Sequence, residues 1–127
     1  MLDEQINNDG SHCELSPMYH SIILEDILEI KNFFKIFNFQ NTKINNKINN
    51  QILKMFEWLQ HMQLENNKIS FFNDSAYEIA PNLEKLILKY MMLELLLILE
   101  NLVTKKIQVM LMQIVSLLNL QSLEVNL

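Results

Sequence analysis

Met91-Met92-Leu93-Glu94-Leu95-Leu96-Leu97-Ile98-Leu99, inside the longer apolar stretch from Pro81 to Asn119, decides the fold. Leu and Met favour helix, and no β-branched run or turn residue interrupts them. Apolar residues stand on every side of a 3.6-residue wheel, so the spacing predicts a helix that other chain must cover. Pro81 suits the first turn of such a helix, because its fixed φ and missing N–H cost nothing there.

A single helix from Pro81 to Asn119 is long for a globular domain, and the sequence places a break in Glu100-Asn101-Leu102-Val103-Thr104, which holds the only candidates to end one helix and cap the next. Asn101 closes one helix in this reading and Thr104 caps the next. Lys105 and Lys106 count against the cap, since positive charge sits poorly at a helix start. Past the break, Ile107, Met110, Leu111, Ile114 and Leu118 form one stripe, with Gln108, Met112, Ser116 and Asn119 opposite.

Upstream, Ser16-Pro17 reads as an N-cap followed by a first-turn proline. Ile23, Ile27, Ile30, Phe34 and Phe37 then recur at spacings of four and three, which predicts a helix to about Phe37 with those residues inward. Asn38 to Asn46 reads as a link. In the next helix Ile48, Ile52, Met55, Leu59 and Met62 share a face widened by Phe56, and Asn66-Asn67 is the expected stop. Lys68 to Ala80 reads as an apolar loop that plugs the core through Ile69, Phe71 and Phe72. Residues 1–15 mix acids, Asn and Ser with isolated apolar residues and are expected to form a flexible acidic arm.

The fold class is therefore all-α: a compact bundle of about four principal helices in a single domain over 16–127, with a helical-repeat fragment as the alternative. Composition agrees. The 127 residues are half hydrophobic and include one Gly and two Pro, too few for a set of hairpin turns.

Charge and motif content exclude several functions. The net charge is −5 and all ten cations are Lys, so the guanidinium fork that reads guanine is absent and no nucleic-acid partner is expected. Gly10, the sole glycine, lies in the acidic arm and provides no phosphate-cradling loop. Cys13 is the sole cysteine, which excludes an internal disulfide and fits a reducing, cytoplasmic setting. The acidic start Met1-Leu2-Asp3-Glu4-Gln5 does not read as a secretory signal.

Two clusters resemble metal sites in part. Glu57, His61 and Glu65 share a helix face, but the order of residue types differs from the zinc-protease pattern. His12-Cys13 with His20 offers soft ligands, short of the four a closed zinc site takes. No metal, cofactor or catalytic residue is assigned, and no histidine stands in a nucleophile motif, so the chain reads as a non-enzyme.

The functional expectation is a non-enzymatic α-helical module that makes protein–protein contacts, as a subunit of a larger assembly or by self-association into an oligomer. Surplus apolar surface motivates it. Lys105, Lys106, Met112 and Leu120 are the expected partner-binding residues. The alternative is a membrane-associated helical hairpin turning at Lys105-Lys106, disfavoured because Lys89, Glu94 and Glu100 interrupt one arm and five polar residues the other.

Overall fold

The computed structural model describes residues 2–65, 68–76 and 78–124, with the side chains of residues 2 and 120–124 outside that description. It is all-α. Four helices follow one another: α1 (Leu2–Gln5), α2 (Pro17–Ile36), α3 (Thr42–His61) and α4 (Leu83–Glu124). Among the described residues no strand forms, and only two isolated antiparallel bridges occur, Ile6 with His12 and Gln63 with Ile69. Two compact units divide the chain, Met1–Met91 and Met92–Leu127.

In the first unit α2 and α3 pack on each other. The cap of α2 is the expected one: Ser16 Oγ accepts from the Tyr19 N–H, and Pro17 occupies the first turn. Asn41 caps α3 by accepting from the Ile44 N–H at 3.1 Å. The inward face of α3 is Ile48, Ile52, Met55 and Leu59, as its spacing predicts, with Phe56 and Met62 half-buried beside it. The stop expected at Asn66-Asn67 lies outside the described residues, and α3 itself ends at His61.

The inward face of α2 is rotated from the expected one. Pro17, Met18, His20, Ser21, Leu24, Ile27 and Leu28 are buried, whereas Ile30 and Phe37 are exposed and Ile23 and Phe34 only half-buried. The cause is that the true stripe passes through His20 and Ser21, which a count of apolar residues skips. Ser21 satisfies its hydroxyl on the Pro17 carbonyl at 3.0 Å, and His20 has partners described below, so neither leaves an orphaned polar atom in the core.

Residues 6–13 are not a loose arm. Ile6, Gly10, Ser11 and His12 are buried, and the segment closes on itself through Asn7 N–H to the Ser11 carbonyl (2.9 Å) and Cys13 N–H to the Gln5 carbonyl (2.7 Å). Backbone pairing, not apolar content, orders it. Gly10 makes this possible: its φ is +90°, and a Cβ there would lie 2.4 Å from the Lys54 carbonyl oxygen on α3. Lys54 Nζ in turn donates to the Asn8 carbonyl at 3.1 Å.

The loop after α3 does not plug the core either. Ile69 is half-buried, but Phe71 and Phe72 are exposed, and the segment is held by Ser70 N–H to the Met62 carbonyl and Leu64 N–H to the Lys68 carbonyl. Helix α4 then starts two residues after Pro81, capped by Asn82, whose side chain accepts from the Lys85 N–H at 3.0 Å. Within the first unit Lys89 bridges Glu25 (3.1 Å) and Glu29 (2.8 Å) of α2, and Tyr90 meets Phe56 with ring centroids 5.6 Å apart. Partial burial works against the Lys89 ammonium, yet Glu29 and Glu25 together hold its pKa above the ordinary lysine value.

The break expected near Asn101 is absent: α4 runs unbroken through it. Asn101 and Thr104 disfavour helix only mildly, and the lysines that follow oppose a new helix start. The hairpin of the membrane alternative therefore has no turn. Nor is the apolar stretch a covered central helix, because Leu95, Leu96, Ile98 and Leu99 are all exposed. Among the described residues no helix is long and apolar enough to cross a membrane.

Gly10→Ala is expected to lower stability by about 1–3 kcal/mol, from the strained φ and the overlap with α3. Urea unfolding followed by Trp58 fluorescence checks it. An unchanged midpoint would show that the 6–13 loop is not seated on α3.

Candidate functional site

A polar cluster of the first unit gathers where the 6–13 loop meets α2 and α3. Its centre is His20, fully buried. The Nδ1 atom of His20 accepts from the His12 backbone N–H at 3.3 Å, and Nε2 lies 2.9 Å from the Met55 carbonyl oxygen. A carbonyl only accepts, so Nε2 carries the proton and the ring is the neutral tautomer. Trp58 covers one side of the imidazole, with centroids 4.6 Å apart. Sequence spacing explains the meeting: Met55 and Trp58 are one turn apart on α3, and His20 lies one turn after Ser16 on α2.

Around this centre Asp9 accepts from Ser11 twice, from the hydroxyl at 2.7 Å and from the backbone N–H at 3.0 Å. Those two bonds hold its carboxyl below the usual aspartate value. Asn7 Nδ2 completes the set by donating to Ser11 Oγ at 2.9 Å. His12 is buried too, and its Nε2 stands 4.0 Å from Cys13 Sγ, at the outer edge of contact. Cys13, Glu14 and Tyr19 form the exposed rim. Here sequence reading missed the structure. The signal available was the placement of the only glycine between Asp9 and Ser11, a turn signature in a chain that spends glycine nowhere else.

Chemically the cluster is a clasp and not a set of free acids and bases. Both nitrogens of His20 are committed, and burial above all pushes its pKa down from 6.5 to about 4; the Met55 carbonyl opposes this, His12 adds to it and Asp9 opposes it. Among the described residues no group of three or more His, Cys, Asp or Glu side chains is placed to hold a metal. His12, Cys13 and His20 do not converge as ligands, and His61 on the outer face of α3 uses Nδ1 on the Glu57 carbonyl at 2.7 Å.

The residues expected to bind a partner lie elsewhere. Lys105, Lys106 and Met112 are exposed on α4, and the side chain of Leu120 lies outside the described residues. Lys105 and Met112 fall on one stripe and Lys106 about 100° away from Lys105, so the helix does not gather them into a single patch.

Comparison with known families turns on the first unit. The family model described as Heparinase II/III N-terminus matches residues 1–93. That is well over half of the chain. The chain belongs to the heparinase II/III N-terminus family. The matched region ends within two residues of the first unit, Met1–Met91, so the heparinase II/III N-terminal region is the unit that carries the His20 clasp. Because the match is to the N-terminal part of a lyase family, it gives the non-enzymatic expectation no support. No curated protein and no solved structure matches the chain.

The His20 shift has a pH consequence with a definite sign. Between pH 6.5 and about 4 the unfolded chain binds a proton that the folded chain does not. Stability is therefore complete above pH 6.5 and declines as pH falls towards 4, by about 3 kcal/mol in total. Urea midpoints at pH 7.5 and 4.5, read by Trp58 fluorescence, are expected to show the decline. Equal midpoints would mean that His20 is not held neutral.

Proposed function

We propose that residues 1–93 are the helical N-terminal scaffold of a lyase of the heparinase II/III kind, and that the second unit adds a protein–protein contact. The observation that supports the scaffold reading is the coincidence of the family match with the compact unit built around the His20 clasp. In this reading the polar residues of the unit position backbone. His20 supplies no general base, since its protonation would set an Nδ1–H donor against the His12 N–H and cost the bond to it.

The charge of the chain supports a division of labour. A sulfated or uronic-acid polysaccharide is a polyanion, and a surface of net charge −5 without Arg repels it. Residues that grip and cleave such a substrate therefore come from outside this chain. Contact with protein has its own support in the exposed apolar side chains of α4, which a soluble surface does not leave contiguous without use.

The purified chain is expected to elute from immobilised heparin at low salt and to release no unsaturated uronate from heparin, the product that a lyase leaves with a new double bond. Formation of that product by the chain alone, abolished in His12→Ala, would overturn the scaffold assignment. Retention to high salt would overturn the charge argument.

A further inference from the structure

We infer that the second unit pairs with a second copy of itself, as two antiparallel α4 helices crossing at Val103. This rests on the contact-making reading above and names its partner. Along α4, Met92, Leu96, Leu99, Val103, Ile107, Met110 and Ile114 follow at spacings of four, three, four, four, three and four. They lie on one side of the helix, and each is exposed, between 47% and 64%. The opposite side carries Glu94, Asn101, Lys105, Gln108, Ser116 and Asn119, a polar stripe that suits solvent. Met112 and Ile98 stand among that polar stripe, so the helix as a whole is not amphipathic; the Val103 side is set apart because none of its members is polar.

The apolar face has a symmetry that selects its occupant. Val103 is its midpoint, and apolar residues stand four, seven and eleven positions to either side. A two-fold axis through Val103 therefore sets Leu99 against Ile107, Leu96 against Met110 and Met92 against Ile114 of the other copy, with Val103 against itself. This is the self-complementary arrangement that a two-fold dimer requires, and a foreign partner has no need of it.

A parallel pair on a seven-residue repeat meets a charge in either register: the one through Met92, Leu96, Leu99 and Val103 runs on to Lys106, and the one through Val103, Ile107, Met110 and Ile114 runs back to Glu100. The observed repeat is eleven residues, from Met92 to Val103 to Ile114, a period of about 3.67 that keeps the face aligned on an almost straight helix. The area is adequate. With Leu111 and Leu118 flanking, the face offers on the order of 700 Å² per copy, close to the roughly 800 Å² per partner of a standard specific interface.

The test uses the full chain with Cys13→Ser as background. Light scattering after size exclusion is expected to give a dimer at micromolar concentration. Val103→Glu, which sets two carboxylates on the axis, is expected to weaken it at least about tenfold. Under mild oxidation a mixture of Met92→Cys and Ile114→Cys chains is expected to cross-link to each other, with neither linking to itself. Self-linking of either variant, or a species larger than a dimer, overturns the antiparallel pair. A monomer that stays off phosphatidylcholine vesicles overturns self-pairing alone. A monomer that sediments with those vesicles overturns the protein-contact reading as well.

Discussion

One buried imidazole holds the first unit in register. His20 receives a backbone N–H from the amino-terminal loop and gives its own proton to the Met55 carbonyl of α3, 35 residues further on, so three segments share a single ring. Such a joint works only for a neutral ring of one tautomer, and burial ensures that state at neutral pH. Hydrophobic packing supplies most of the energy of this unit, through Leu24 and Leu28 of α2, Ile52, Met55 and Leu59 of α3 and Leu86 of α4. Burial is non-directional and tolerates a shift of register better than a ring that is hydrogen-bonded at both ends.

The difference between these two forces explains what was legible in the sequence. The inward face of α3 is apolar at every step, and its period alone identifies Ile48, Ile52, Met55 and Leu59. On α2 the inward face mixes His20 and Ser21 with leucines, and a reading by hydrophobicity settles on Ile30 and Phe37, which the structure leaves exposed. Phe33 and Phe37 instead pack on each other with tilted rings, as do Phe34 and Phe39, at the carboxyl end of that helix. The 6–13 loop was illegible for a further reason. Its order comes from backbone pairs and from a glycine whose hydrogen replaces a Cβ beside α3, and neither leaves a periodic trace. The continuity of α4 through Asn101 is a lesson of the opposite kind: weak helix residues do not end a helix without a partner that rewards the ending.

The family match follows the same line as the structure. The heparinase II/III match and the His20 clasp belong to the first unit, and neither depends on the apolar length of α4. The His20 clasp itself was passed over in the sequence because its histidines were weighed as metal ligands, whereas the structure uses one of them as a hydrogen-bond relay between backbones. A buried histidine with both nitrogens occupied is a poor catalyst and a good fastener.

The first turn of α2 shows how far such fastening reaches. The Met18 N–H, one of the donors a helix cannot satisfy internally, gives its proton to Ser75 Oγ at 3.2 Å, and Ser16 Oγ lies 3.2 Å from the same oxygen. Ser75 passes its own proton to the Phe72 carbonyl at 2.8 Å, so Ser16 is the donor towards it. Half of the capping of α2 thus arrives from a loop almost sixty residues later. A nascent chain that has synthesised only α2 lacks that hydroxyl and leaves the Met18 N–H to water until α3 and the loop beyond it have been made, which ties the finished cap of this helix to the completion of its surroundings.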